Sequence, residues 1–188
     1  MIYGRLILAC WLVLIAVWFA MARRGKIVAE RESAFSTLSH YGPLAVGIYL
    51  LAAPRVPLFP LDLRFVPFAL WPVQLGAALT VAGVAFAIWA RAMIAGNWSS
   101  SVTLKRDHEL IVKGPYRMVR HPIYTGILLG LIGTALAVGE WRALLGVAIA
   151  AAAFWRKLRI EEAVMRRQFG EAYARYAKRT PALVPFLI

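Results

Sequence analysis

Two stretches hold the residues best suited to chemistry: the run 108–126 and the pair Glu161-Glu162. The first sets His108, Gly114, Tyr116, Arg120, His121, Pro122 and Tyr124 at the opening of an apolar segment. Ionisable groups at such a boundary either anchor a helix at a membrane interface or belong to a site. Two tyrosines beside an arginine and a histidine offer more distinct shapes than anchoring requires. In the second stretch, two adjacent carboxylates are what a cationic ligand group needs, although the basic residues around them offer surface pairing instead.

The elements that must position these residues follow from local pattern. Pro122 suits the first position of a helix, which places Arg120 and His121 at its mouth. From Phe154 the last helix is expected to run on as an amphipathic extension, because Leu158, Glu162, Met165, Phe169, Tyr173 and Tyr176 recur at helical spacing. Glu162 therefore shares a face with an apolar and aromatic stripe, and that stripe either lies on lipid or packs on the connection at 96–120. Lys157, among the tail's basic residues, is read as a surface charge. His40 is expected at an interface.

Composition gives the class. Of 188 residues, 61% are hydrophobic and mean hydropathy is +0.66, well above the usage of a soluble domain. The expectation is an all-α integral membrane protein with five transmembrane helices and a cytoplasmic amphipathic C-terminal helix. The crossings fall at 2–22, 38–53, 73–95, 122–138 and from Trp141, with an interfacial loop at 54–72 where five prolines forbid a long helix. Arg23 and Arg24 follow the first apolar run, the reverse of a cleavable signal, so that helix is read as retained. The chain reads as one membrane domain, 1–188, with three helices in 1–95 and the chemistry-bearing part in 96–188. Gly139-Glu140 is a tight connection that makes the last two helices an antiparallel hairpin. Gly126 and Gly130 give the fourth helix a small face for close approach of a neighbour.

The formal charge of +13 is interleaved with apolar spans, so topology and anionic headgroups account for it better than nucleic acid. Eighteen of the 22 basic residues fall in 23–31, 91–120 and 156–179, on one side of a five-crossing chain. The amino terminus is then outside, and the carboxyl terminus and the run 108–121 are cytoplasmic. Cys10 cannot form an internal disulfide, and the histidines show no metal-ligand spacing. No glycine-rich phosphate loop following a strand is visible.

Asn97-Trp98-Ser99, Val102-Thr103, His108, Gly114-Pro115-Tyr116 and Arg120-His121-Pro122-Ile123-Tyr124-Thr125-Gly126 form one block. Glu161-Glu162, Phe169-Gly170, Tyr173, Tyr176, Arg179, Pro181 and Pro185 form a second. In this order and spacing, over residues 95–188, they resemble the isoprenylcysteine carboxyl methyltransferase family. Thr180 departs from the valine frequent in relatives. The resemblance implies a membrane methyltransferase using S-adenosylmethionine, bound by the last two helices, the loop before them and the tail. Glu161 or Glu162 would take the cofactor ammonium; the backbone around Gly114 and the ring of His121 would meet polar edges, Pro122 shaping that mouth. Tyr116 or Tyr124 would cover the adenine or face the sulfonium. His121 has an alternative, capping the helix that begins at Pro122. Arg120 and Arg179 are candidates to hold an acceptor carboxylate, since a guanidinium fork matches one in two-point contact, with headgroup binding as the alternative. The expected acceptor is a lipid-borne or prenylated carboxylate entering from the bilayer; N-methylation of an aminophospholipid and non-catalytic lipid or partner binding are the rival functions.

Overall fold

The structure is a computed structural model and describes residues 2–22, 34–54, 56–94 and 110–185. His108 and the motif residues at 97–103 lie outside the described residues, as do the basic clusters at 23–31 and 105–106. Among the described residues the long elements are all helices: α1 (Ile2–Ala22), α2 (Ala34–Ala52), α3 (Leu70–Ile94), α4 (Pro122–Val138) and α5 (Trp141–Arg179), with a short 3-10 turn at Gly114–Arg117. α1, α4 and the start of α5 match the expected positions. α2 begins earlier than position 38 and runs through Pro43, which is exposed and so removes a helical N–H without pressing its ring into a packed neighbour.

The helices alternate in direction. Gln74 Nε2 donates to the Tyr3 hydroxyl at 3.0 Å and Arg91 Nη2 donates to the Met21 carbonyl at 3.2 Å, so α1 and α3 run parallel. α4 runs antiparallel to α3, with Gly126 opposite Gly83 and Gly133 opposite Gly76. α5 runs antiparallel to α2, with Gly146 opposite Gly47. A Cβ added to Gly83 would stand 2.5 Å from both the Gly126 carbonyl oxygen and the Gly130 nitrogen, so the two backbones touch. Such contact maximises dispersion and needs no polar side chain, the device that serves where water is absent. Thr80 sits in the same seam, its hydroxyl shared between the carbonyls of Gly76 at 2.9 Å and Gly130 at 3.2 Å.

The small face of α4 therefore meets α3, and α5 packs mainly on α2. α4 and α5 do share the tight turn at Gly139-Glu140, yet their mutual packing is looser than a hairpin reading suggests. The physical reason is matched spacing: the glycines of α3 and α4 both recur seven apart, at 76 and 83 and at 126 and 133. Gly139 takes φ +76°, which its missing Cβ permits. The proline-rich segment docks there: Phe65 N–H donates to the Gly139 carbonyl at 3.0 Å, and Arg64 Nη1 to the Val138 carbonyl at 3.1 Å. Buried Arg142 is satisfied by Glu140 and by the Leu50 carbonyl at 2.6 Å. This end of the bundle is closed by structural bonds, and the site lies at the other.

Ile2–Met21 and Leu70–Ile94 are long and apolar enough to cross a membrane, while Leu38–Ala52 and Pro122–Val138 are shorter apolar helices. α1 exposes Leu6, Leu8, Leu12, Val13, Ile15 and Phe19, a face that suits hydrocarbon. α5 continues beyond its apolar part and breaks at Gly170, whose φ of 49° and ψ of −124° few L-residues adopt.

Candidate functional site

The site begins with the backbone at the mouth of α4. His121 occupies the N-cap position, but its side chain makes no cap bond. Pro122 instead starts the helix with its fixed φ, and the Thr125 N–H reaches the His121 carbonyl at 3.0 Å. The imidazole is thereby left for other partners, so the capping alternative is not taken. Its Nε2 lies 3.2 Å from Glu162 Oε1 and its Nδ1 3.6 Å from Glu161 Oε2.

Arg120 approaches the same carboxylate from the side. Its Nε and Nη2 both contact Glu162 Oε1 at 2.7 Å, while Nη1 donates to the carbonyls of Ala177 at 3.0 Å and Thr180 at 2.5 Å. One guanidinium therefore ties the loop to Glu162 and also satisfies two carbonyls at the end of α5, which a helix C-terminus otherwise leaves open. The segment after α5 then folds back over the mouth of α4. Arg120 N–H donates to Pro181 O at 2.8 Å, His121 N–H to Ala182 O at 3.0 Å, and the Thr125 hydroxyl to Leu183 O at 2.6 Å. Tyr176 closes the other flank by donating its hydroxyl to the Tyr116 carbonyl at 2.6 Å. The aromatic stripe of α5 thus packs on the connection before α4, one of its two expected roles.

Glu161 faces α4. Its Oε1 accepts from the Tyr124 hydroxyl at 2.5 Å. The Tyr124 ring stacks with His121, at 5.6 Å between centroids, and with Phe154, at 4.9 Å. Burial alone would raise both carboxyls and lower the imidazole, but each carries opposing charge. Hydrogen bonds from His121 and Arg120 outweigh burial at Glu162 and hold its carboxyl at about 2. At Glu161, His121, Lys157 and Tyr124 outweigh burial and keep it below the usual carboxylate range. The two carboxylates in turn outweigh burial at His121 and lift its imidazole above the ordinary value. Burial pushes the hydroxyls of Tyr116, Tyr173 and Tyr176 up, so they remain donors. Both carboxylates are therefore charged at neutral pH.

The residues singled out in the sequence divide accordingly. Arg120, His121, Pro122, Tyr124, Glu161 and Glu162 come together in one network. Tyr116 lies at its edge on the 3-10 turn, half-buried. Gly114 opens that turn, exposed, with φ +57°. Arg179 is exposed at the end of α5, outside the network.

Lys157 corrects the reading of a surface charge. It is 8% exposed, with Nζ 3.2 Å from the Tyr41 hydroxyl of α2 and 5.8 Å from the Tyr124 ring centroid. Its place four residues before Glu161, one helical turn, was the signal available. Tyr41 had none, because it meets α5 from 116 positions away. His40 is buried within the bundle, its ring 4.7 Å from that of Tyr41.

Residues 71–172, which run from α3 past both carboxylates, match the family model described as phospholipid methyltransferase. The chain is 26% identical over 120 residues to protein-S-isoprenylcysteine O-methyltransferase B of Arabidopsis thaliana, covering 62% of this chain and 61% of that one. It is 32% identical over 94 residues to protein-S-isoprenylcysteine O-methyltransferase of Schizosaccharomyces pombe, covering 48% and 40%. It is also 30% identical over 122 residues to the cobalt-zinc-cadmium resistance protein CzcN of Cupriavidus metallidurans, covering 64% and 51%. The chain thus spans between 40% and 61% of the length of these relatives. The resemblance read from the two motif blocks is borne out, and the family match extends over more than half the sequence: the chain belongs to the phospholipid methyltransferase family.

Proposed function

We propose that this protein is a membrane methyltransferase that uses S-adenosylmethionine to modify a lipid-borne or hydrophobic acceptor, in first place a carboxylate of isoprenylcysteine type. One observation carries the reading. The two motif blocks close into a single buried charge network, across 41 positions from His121 to Glu162, and leave Glu161 the more accessible carboxylate. The names of the isoprenylcysteine relatives supply the reaction class.

The residues fit such a cofactor selectively. Glu162 already takes Nε and Nη2 of Arg120 and Nε2 of His121 on one oxygen, and its side chain is 9% exposed. Glu161 is 22% exposed and its Oε2 lies beyond hydrogen-bond distance from His121, so it has an acceptor site left for an ammonium. Tyr124 is already stacked with His121 and Phe154, which leaves Tyr116 to stack on an adenine beside the exposed backbone of Gly114. The group supplies an electrophilic methyl on a sulfonium. A carboxylate acceptor is already ionised, so the chain's task is to align it, exclude water and hold it. Arg120 is engaged with protein partners; Arg179, exposed beside the folded-back tail, is the arginine assigned to the acceptor. The alternating helix directions fit five crossings, and the basic clusters of the sequence would put the amino terminus outside and the site and carboxyl terminus in the cytoplasm.

The test is a thermal-shift titration of the detergent-purified protein with S-adenosylhomocysteine, followed by mass spectrometry of lipids and proteins labelled from isotopic cofactor. Binding of this product stabilises by mass action. A flat titration in a folded sample rejects the enzyme reading. The family description favours a second acceptor, a phospholipid amine. That amine must lose a proton, so its methylation rises with pH where methylation of a carboxylate does not.

A further inference from the structure

The match to the family begins at residue 71, so it leaves out α1 and α2. Yet α2 reaches the site through Lys157. This lysine points its ammonium between α2 and α4 and not toward water, with Nζ 3.2 Å from the Tyr41 hydroxyl and 5.0 Å from the centroid of the Tyr41 ring. Burying an ammonium in a helix seam costs free energy that packing alone does not require, because a methionine fills the same length without desolvating a charge. An expensive charge beside a site is expected to act on something. One turn further along α5 stands Glu161, bonded to Tyr124, whose ring centroid is 5.8 Å from the same ammonium.

We infer that Lys157, held in place by Tyr41, is a positioning residue that acts on Glu161 one helical turn further along α5, and that α2 is thereby part of the active site. The groups facing Glu161 are His121 and Tyr124 from the mouth of α4, Tyr116 from the 3-10 turn, and Lys157 on its own helix. Arg120 and Glu162 lie adjacent as a pair, and Tyr41 stands behind Lys157. His121 and Tyr124 act on Glu161 through direct contacts; Lys157 acts through its field. Its removal therefore leaves the geometry standing but makes the carboxylate easier to protonate. The consequence for ligand binding rests on the proposed function, in which Glu161 receives an ammonium.

The test is an infrared titration of the carboxyl bands of the full chain in detergent, without ligand, for the wild type, Lys157→Met, Lys157→Arg and Tyr41→Phe. The Glu161 band is assigned by its loss in Glu161→Gln. In Lys157→Met the Glu161 band should protonate about one pH unit higher than in the wild type, the size of shift a nearby opposite charge produces. Lys157→Arg should restore the wild-type midpoint, and Tyr41→Phe should move it the same way by less. Isotherms of S-adenosylhomocysteine binding over the same range should lose affinity at a pH higher by the same amount. A Lys157→Met protein that is less stable but whose Glu161 band titrates as in the wild type overturns the inference and leaves Lys157 a packing residue. A shifted band in a chain that binds no S-adenosylhomocysteine keeps the positioning role and removes the cofactor reading instead. Should Lys157→Met not fold, Tyr41→Phe decides the matter by the same band.

Discussion

Replacing Arg120 with alanine should detach the tail from the mouth of α4. The guanidinium makes two contacts at 2.7 Å to Glu162 and two donations to the carbonyls of Ala177 and Thr180, at 3.0 and 2.5 Å. Its side chain is 14% exposed and that of Glu162 is 9% exposed, so the pair is mostly desolvated. Removing one partner of a buried pair costs about 3–5 kcal/mol, largely from the charge left behind. His121 still pairs Glu162 and the freed carbonyls regain water, which places the expected loss near the lower end, about 3 kcal/mol. For a chain of this size that is a fall in melting midpoint of about 6–12 °C. Lysine keeps the charge but cannot span Glu162 and both carbonyls, so Arg120→Lys should lose about half as much. Arg179→Ala is the control: that side chain is exposed outside the network, and the change should stay within about 0.5 kcal/mol. Thermal unfolding in detergent, with limited trypsin digestion at Arg175 and Lys178, reports both stability and tail release. If Arg120→Ala melts with the wild type and its tail is cut no faster, the latch assigned to Arg120 is wrong.

Four further outcomes are expected. Glu162 has its carboxyl lowered from 4.5 to about 2, so its contribution is present above the unfolded value and is lost as pH falls from about 4.5 to 2; Glu162→Gln should flatten the stability profile in that window. His121 is raised, so its contribution is complete below the unfolded value of 6.5 and fades as pH rises through the folded one; a His121→Asn profile parallel to the wild type across neutral pH would contradict this. Gly83→Ala places a Cβ 2.5 Å from backbone atoms of α4 and should cost at least about 1–3 kcal/mol, whereas Gly4→Ala, with nothing within 4 Å, should be silent; calorimetry of the pair separates contact from residue type. Gly170→Ala also meets open space, so a loss of about 1–3 kcal/mol there would come from φ +49° alone, and an unchanged melting midpoint would show that the break is not enforced.

The sequence by itself determined the helices and most of the site. Apolar runs of bilayer length, the proline at 122 and the glycine at 139 act locally, so α1, α4 and the start of α5 were legible to the residue. The stripe Leu158, Glu162, Tyr173 and Tyr176 was legible because helical periodicity places one face together whatever that face meets. Arg120, His121, Tyr124 and the two glutamates were legible as charge and shape in an apolar setting. Only the tertiary structure decided which partner each would take. Arg120 turned to the tail carbonyls, the His121 ring turned to two carboxylates and not to the helix end it caps in position, and Lys157 left the surface for Tyr41, which lies 116 positions away on a helix that carries no motif. The glycine seam likewise joined α4 to α3, although the short turn at Gly139-Glu140 made α5 the neighbour in sequence. Local pattern follows from steric and hydrogen-bonding rules that act within a turn or two of chain. The choice among equally charged or equally small partners depends on which backbones approach closely enough to exclude water, and that distance is a property of the whole packed bundle.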